Sequence, residues 1–288
     1  MIPAAFDYTQ PKSLPEAVRL LQQHPDEAKI LAGGQSLIPL MKFRLAQPAV
    51  LVDVNAIPDL AFIQEVDGEL RIGALTRESA LEEAPSIRAR YPILLETTTH
   101  IADPLVRNLA TVGGNVAHGD PANDHPATML ALRATVVAFG PNGTRTIPID
   151  EFFVDTFQTA LEPDEILTEI RVPAPTGRTG GAYVKLERKV GDFAIVGVAA
   201  QLRLGAGGAI DQIGIGLTNV GVKPVRAAQA EAFLQGKRPD DTNLRRAGEL
   251  AAEDARPTAD IRGSVEYRRA MVRTLTFRAL RKAVERAS

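Results

Sequence analysis

The chain has 288 residues, 45% hydrophobic and 24% charged, with a formal net charge of -2. That is an ordinary globular composition with enough apolar material for one large or two modest domains, and no charge excess that asks for nucleic acid or an acidic lipid surface. The absence of cysteine excludes disulfides, zinc–thiolate sites, a thiol nucleophile and an iron–sulfur cluster held by this chain's own cysteines. Four histidines and no tryptophan leave a thin catalytic inventory, so redox chemistry here needs a bound organic cofactor. No apolar run approaches the roughly 20 residues of a membrane span, and residues 1–7 lack a basic start followed by an apolar stretch, so a cytoplasmic location is expected.

In chain order, Ser13, Leu14, Pro15 and Glu16 read as a capping box opening a helix, with Leu14, Ala17, Val18 and Leu21 on one face. Residues 28–32 read as a short strand running into Gly33 and Gly34, residues 51–54 as a second, and residues 69–75 as a third, with Thr76 capping a following helix. Residues 92–99 suggest a helix leading toward Gly113 and Gly114. Residues 135–139 and 145–149 flank Pro141-Asn142-Gly143, a hairpin signal. Residues 165–172 form another strand, and the breaker-rich stretch 173–181 marks the main boundary. Beyond it, residues 182–186, 194–204 and 209–219 are strand-like, the last two joined by Gly205-Ala206-Gly207-Gly208. Residues 228–234, 242–255 and 264–286 are helical. Strands first and helices later favour an α+β fold over a Rossmann sheet. The last helix is basic: it is either packed with a solvated polar face or a docking face for a partner.

Four segments carry chemistry. Ala32-Gly33-Gly34-Gln35-Ser36 lies between a strand and the apolar run starting at Leu37. Adjacent glycines allow a tight turn whose successive N–H groups suit a pyrophosphate, although a plain strand-to-helix turn uses the same residues. Thr111-Val112-Gly113-Gly114-Asn115 allows the same reasoning, with Thr111 and Asn115 adding side-chain hydrogen bonds. Neither loop matches G-x-G-x-x-G or a Walker loop. Residues 118–125 hold His118, Asp120, Asp124 and His125. They are read as a loop because of Gly119, Pro121 and Pro126. A metal site, hydroxyl recognition by Asp124, and aspartates ordering a turn remain open there, with hydroxyl recognition favoured. In residues 183–193, Lys185 could place positive charge near a reduced flavin and Phe193 could pack on a ring face, against the alternative of a surface strand with alternating charges.

These segments, in this order, resemble the medium, FAD-binding subunit of molybdenum hydroxylases, nearest the aerobic carbon monoxide dehydrogenase type within the wider xanthine dehydrogenase family. The carriers are FDYTQPKSLPEAVRLL, LAGGQSLIPLMKFRLAQP, HIADPLVRNLATVGGNVAHGDPANDHPATMLAL, EILTEIRVP and YVKLERKVGDFA. The resemblance implies an α+β FAD-binding fold of the p-cresol methylhydroxylase/vanillyl-alcohol oxidase type over residues 1–176, in subdomains of about 1–55 and 56–176, and a C-terminal domain of antiparallel sheet and helices over 177–288. It implies noncovalent FAD held by Ala32, Gly33, Gly34, Gln35, Ser36, Leu37, Thr111, Gly113, Gly114 and Asn115. Asp124 would take a ribityl or ribose hydroxyl with Asp120 near it, and Leu167 and Lys185 would line the flavin end. Phe193 stands where relatives often carry a tyrosine or another aromatic, and Gln35 where close relatives carry a histidine; the backbone is expected to matter more at Gln35. No catalytic acid–base residue and no metal ligand is expected in this chain. The partners implied are a small subunit with two [2Fe–2S] clusters and a large subunit with the molybdenum cofactor, in a dimer of heterotrimers. Electrons would pass through FAD to an external acceptor, and any membrane association would run through the complex. The alternatives are a self-sufficient FAD-dependent oxidoreductase of the same fold, for which flavin remaining on the denatured chain would speak, and a binding or assembly subunit that takes up no FAD.

Overall fold

The computed structural model describes residues 2–288. It opens with β1 (Asp7–Thr9), α1 (Leu14–Gln23), β2 (Ala28–Leu31), α2 (Leu37–Lys42) and β3 (Val50–Asp53). β3 lies between β1 and β2 and runs parallel to both; parallel neighbours need crossovers, which α1 and α2 supply. Ser13 accepts from the Glu16 N–H, as the capping signal predicts, and Ala17, Val18 and Leu21 pack with Val50 and Val52. Locally, then, this is a parallel βαβαβ unit, which the sequence pattern does not announce: β1 has three residues, all exposed or half-buried.

Next come β4 (Ile63–Val66), β5 (Glu69–Gly73) and the helices α3 (Glu78–Glu83), α4 (Pro85–Arg90), α5 (Pro92–Thr99), α6 (Pro104–Arg107), α7 (Val112–Ala117) and α8 (Asp124–Leu132). β6 (Thr135–Gly140), β7 (Gly143–Pro148), α9 (Ile149–Phe152), the pair β8 (Phe153–Asp155) and β9 (Gln158–Thr159), and β10 (Ile166–Pro173) follow. Their main sheet is antiparallel, in the order β4-β5-β10-β6-β7. The hairpin across Pro141-Asn142 forms as predicted. Thr76 does not cap a helix. Its hydroxyl donates to the Phe62 carbonyl at 2.9 Å and accepts the Phe62 N–H at 3.1 Å, and the N-cap of α3 is Arg77, without a side-chain capping bond.

α8 departs most from expectation. Residues 118–125 are not one loop: α7 ends at Ala117 and α8 begins at Asp124. Every residue of α8 is buried, so it lacks the polar face that gives a surface helix its period. Pro126 sits in its first turn, where a missing N–H costs nothing.

The chain ends with β11 (Arg178–Leu186), β12 (Val196–Leu204), β13 (Ile210–Thr218), β14 (Val225–Arg226), α10 (Ala228–Leu234), α11 (Asp241–Asp254) and α12 (Val265–Ala287). The four strands form an antiparallel sheet in sequence order. α12 buries Val272, Leu275, Ala279, Leu280 and Ala283. It comes so close to β11 that a Cβ at Gly180 would fall on the Ala283 carbonyl. On β13, a Cβ at Gly214 or Gly216 would fall on the carbonyl of Ala131 or Ala127 of α8. These two glycines seat α8 directly on the C-terminal sheet. The chain as a whole is α+β, with strands and helices interleaved rather than segregated. Among the described residues no helix is long and apolar enough to cross a membrane.

Candidate functional site

The first glycine motif leaves β2 and enters α2. Gly34 has φ +72, a left-handed conformation costly to any residue with a Cβ. Among the described residues, none of the backbone N–H groups of Gly33, Gly34, Gln35, Ser36 and Leu37 donates to a protein acceptor; the nearby bonds run to the Gly34 carbonyl from Ile38 and to the Ser36 carbonyl from Leu40. Ser36 is the N-cap of α2 without a side-chain capping bond. The Gln35 amide reaches only the Gly33 carbonyl, at 3.4 Å. Five consecutive unspent donors in a turn are an anion-binding concavity in chemical terms.

The second motif is built differently. Thr111 is the N-cap of α7, and its hydroxyl accepts the Gly114 N–H at 3.1 Å. Val112 N–H donates to the Thr76 carbonyl, Gly113 N–H to Ala74, and Asn115 N–H to Thr111. The open nest expected here is therefore absent: helix formation and a neighbouring strand end consume the donors. The glycines serve close approach instead. A Cβ at Gly113 would lie 2.6 Å from the Ala74 Cα, and one at Gly114 would face Ala32 at 3.8 Å. A Cβ at Gly33 would fall on the Leu109 carbonyl. The first motif thus lies backbone to backbone against Leu109 and Ala110, the two residues just before the second, 75 or more residues away in sequence. Asn115 Oδ1 is buried without a hydrogen-bond partner, an acceptor left over beside this contact.

Asp120 orders a turn, accepting the Ala122 N–H at 2.8 Å. Asn123 extends that turn, its amide donating to the Asn115 carbonyl at 2.9 Å. The two histidines diverge. The His118 ring packs tilted against Phe157, centroids 5.0 Å apart, and burial pushes its imidazole pKa down against the pull of Asp120. His125 is fully buried, with Nε2 2.8 Å from Glu78 Oε2. Among the described residues no three His, Cys, Asp or Glu side chains cluster as a metal site would need.

Asp124 and Lys185 do come together. Tyr183 donates to Asp124 Oδ1, and Lys185 Nζ lies 3.0 Å from Asp124 Oδ2, 2.9 Å from the His100 carbonyl and 3.4 Å from Glu187. Burial pushes the Asp124 carboxyl up, against Lys185 and Tyr183, and pushes the Tyr183 phenol well above its ordinary value. The Lys185 side chain is 1% exposed; it donates to Asp124 and to the His100 carbonyl and pairs with Glu187 by charge. The positive charge that Lys185 was expected to bring near a flavin is compensated in this fold by two carboxylates. Leu167 is buried at a bulge of β10. Phe193, on the β11–β12 loop, is 51% exposed. That loop rests on the chain before α6, since a Cβ at Gly191 would lie 2.6 Å from the Ala102 carbonyl.

Sequence reading passed over Tyr183 and Glu78. Tyr183 was within reach, because on a strand it shares a face with Lys185; Glu78, some 47 residues before His125, carries no local signal.

Residues 4–175 match the family model described as the FAD binding domain in molybdopterin dehydrogenase, and residues 181–283 match the CO dehydrogenase flavoprotein C-terminal domain. The chain belongs to this flavoprotein family, as a medium, FAD-binding subunit of the carbon monoxide dehydrogenase type. It is 46% identical to the carbon monoxide dehydrogenase medium chain of Hydrogenophaga pseudoflava, covering 100% of both chains. It is 38% identical to the 6-hydroxypseudooxynicotine dehydrogenase complex subunit alpha of Paenarthrobacter nicotinovorans, covering 100% of this chain and 97% of the other. A solved structure of the Hydrogenophaga pseudoflava carbon monoxide dehydrogenase, a form lacking the Mo-pyranopterin moiety of its molybdenum cofactor, superposes with TM-score 0.97 at 48% identity over 100% of both chains. The residues present fit the family's dinucleotide: the unspent donors of residues 33–37 match a pyrophosphate, and the orphaned Asn115 Oδ1 matches a hydroxyl or amine donor.

Proposed function

We propose that this chain holds one noncovalent FAD across its two glycine motifs and relays electrons from [2Fe–2S] clusters of a small subunit to an external acceptor. The substrate is oxidised at a molybdenum cofactor in a large subunit. In this reading residues 1–176 form the FAD-binding domain and residues 177–288 the C-terminal domain, within a dimer of heterotrimers in the cytoplasm. The observation that carries it is the run of unspent N–H groups from Gly33 to Leu37 set against the second motif.

FAD, when bound, supplies the ability to accept electrons singly and pass them on singly or in pairs. The chain's own part is to bind and orient. Gly33 to Leu37 donate to the pyrophosphate, with Ser36 adding its hydroxyl. Thr111, Gly113 and Gly114 form the wall that lets the first motif lie close, and Asn115 offers its free acceptor. Asp120 orders the turn that leads into Asp124. Asp124, locked by Tyr183 and Lys185, keeps α8 and β11 in register beneath the site, with its remaining acceptor capacity available to a ligand hydroxyl. Leu167 and Phe193 supply apolar surface. No side chain is required to move a proton during catalysis, since Lys185 and Asp124 are committed to each other. Substrate choice belongs to the large subunit: the two relatives are named for carbon monoxide and for 6-hydroxypseudooxynicotine.

The test is an absorbance spectrum of the purified chain with FAD, followed by acid precipitation. A flavin band that appears on binding and is released to the supernatant supports the reading. A folded chain that takes up no flavin overturns it, and flavin that stays with the precipitate replaces the noncovalent site with a covalent one.

A further inference from the structure

A group of side chains outside the two glycine motifs ties them together. Asp53, at the end of β3, is buried and accepts four hydrogen bonds: from the Tyr8 hydroxyl, from Gln10 at 3.3 Å, and from the Asn55 backbone N–H and side-chain amide at 2.9 and 2.6 Å. Asn55 sits in the single 3-10 turn Val54–Ala56 that follows β3. Its amide also donates to the Ala32 carbonyl at 2.8 Å, the first residue of the first motif. Its oxygen accepts from Arg77 Nη2 at 2.8 Å. The other arm of Arg77 donates to the Leu109 carbonyl, the oxygen on which a Gly33 Cβ would fall. Arg77 also forms a backbone bridge with Thr111.

We infer that Asp53, Asn55 and Arg77 are positioning residues for the dinucleotide site: the relay Asp53–Asn55–Arg77 sets the spacing and orientation of the two motifs by holding the Ala32 and Leu109 carbonyls. This rests on the FAD reading above. Three features separate it from ordinary surface hydrogen bonding. The bonds run in series from Ala32 of the first motif to Leu109, two residues before the second, through two residues belonging to neither. They hold carbonyls, which leaves the N–H groups of residues 33–37 unspent. The planar guanidinium makes two bonds in fixed directions, which a lysine cannot copy. Asn55 is exposed and packs no core, so its loss leaves the fold standing while freeing the loops to drift apart. Binding then has to order them again, and affinity falls.

The experiment titrates FAD into the full-length chain by flavin fluorescence, for wild type, Asn55→Ala, Arg77→Ala, the double variant and Arg77→Lys. Unfolding midpoints are measured without FAD. Each single alanine variant is expected to weaken FAD binding about tenfold or more, with binding still one per chain and the Asn55→Ala midpoint close to wild type. A variant that merely unfolds would instead lower the stoichiometry. Because the groups act in series, the double variant is expected to bind about as weakly as either single one, and Arg77→Lys to recover part of the loss. Wild-type affinity in Asn55→Ala, or losses that add in the double variant, overturn the positioning role and leave the FAD reading intact. A wild-type chain that binds no FAD overturns both.

Discussion

The two double-glycine motifs look alike in sequence and do different work. At residues 32–37 the backbone donors are unspent and Gly34 adopts a left-handed turn. At residues 111–115 the donors are spent on Thr76, Ala74 and Thr111; Gly113 lets the backbone touch Ala74, and Gly114 leaves room for the capping Thr111 hydroxyl. A glycine pair records only that a side chain is not tolerated. Whether that is for the sake of a ligand or of a neighbouring chain segment depends on where the N–H groups go.

That contrast divides the expected effects of substitution. The scaffold side gives the largest. Lys185→Met leaves the buried Asp124 and the half-buried Glu187 without their cation and should destabilise the chain by about 3–5 kcal/mol in denaturant unfolding; a midpoint near wild type would mean the cluster is not held by charge. Gly113→Ala drives a Cβ into the Ala74 backbone and should cost about 2–4 kcal/mol, read by the same method with no FAD present. A Gly113→Ala chain of normal stability would erase the distinction between the motifs.

Glu96 sharpens the scaffold side through pH. It accepts from Arg286, Lys282 and the Tyr183 N–H. Burial pushes its carboxyl up, but these donors outweigh burial and hold it below the usual carboxylate range. A depressed folded-state pKa means a contribution fully present above the ordinary carboxylate value and lost as pH falls through the folded one. Glu96→Gln should therefore cost about 1–2 kcal/mol at neutral pH and flatten the acid limb of the stability profile. An unchanged acid limb would remove Glu96 from the account.

Substitutions on the ligand side should invert the pattern. Gly34→Ala meets only the ends of the flexible Ile38 and Leu31 side chains, so its folding cost is mainly the left-handed φ, about 1 kcal/mol, while FAD affinity falls about tenfold or more. Ser36→Ala, with no capping bond to lose, should change stability by less than about 0.5 kcal/mol and weaken FAD slightly. Stability losses larger than affinity losses at these two positions would contradict the division.

Much of this was legible in sequence. The α1 cap, the hairpin around Pro141-Asn142, the strands of the C-terminal sheet and α12 follow from local pattern: alternation, turn residues and one apolar face. α8 and β1 escaped for opposite reasons, α8 because it is buried all round and has no period, β1 because it is three residues long and barely buried. The placement of Ala32 to Leu37 as a donor-rich turn was readable from Gly33-Gly34 between strand and helix. The different role of Gly113-Gly114 was not, because it depends on Ala74 and Ala32 lying across the gap. The likeness of the two sequences concealed it. Asp124 stood out as a carboxylate for a ligand hydroxyl, yet the partners it has in the fold, Tyr183 and Lys185, lie about 60 residues away and are reached only because Gly214 and Gly216 admit α8 onto the C-terminal sheet. The relay through Asn55 and Arg77 had no sequence signal, since both read as ordinary surface polar residues.

Hydrogen–deuterium exchange of the full-length chain with and without FAD tests the central claim most directly. The amides of residues 33–37 are expected to exchange fast without FAD and become protected on binding, while those of residues 112–115 are already protected and change little. Amides 33–37 protected without FAD, or left exchanging fast when FAD is bound, would contradict the claim.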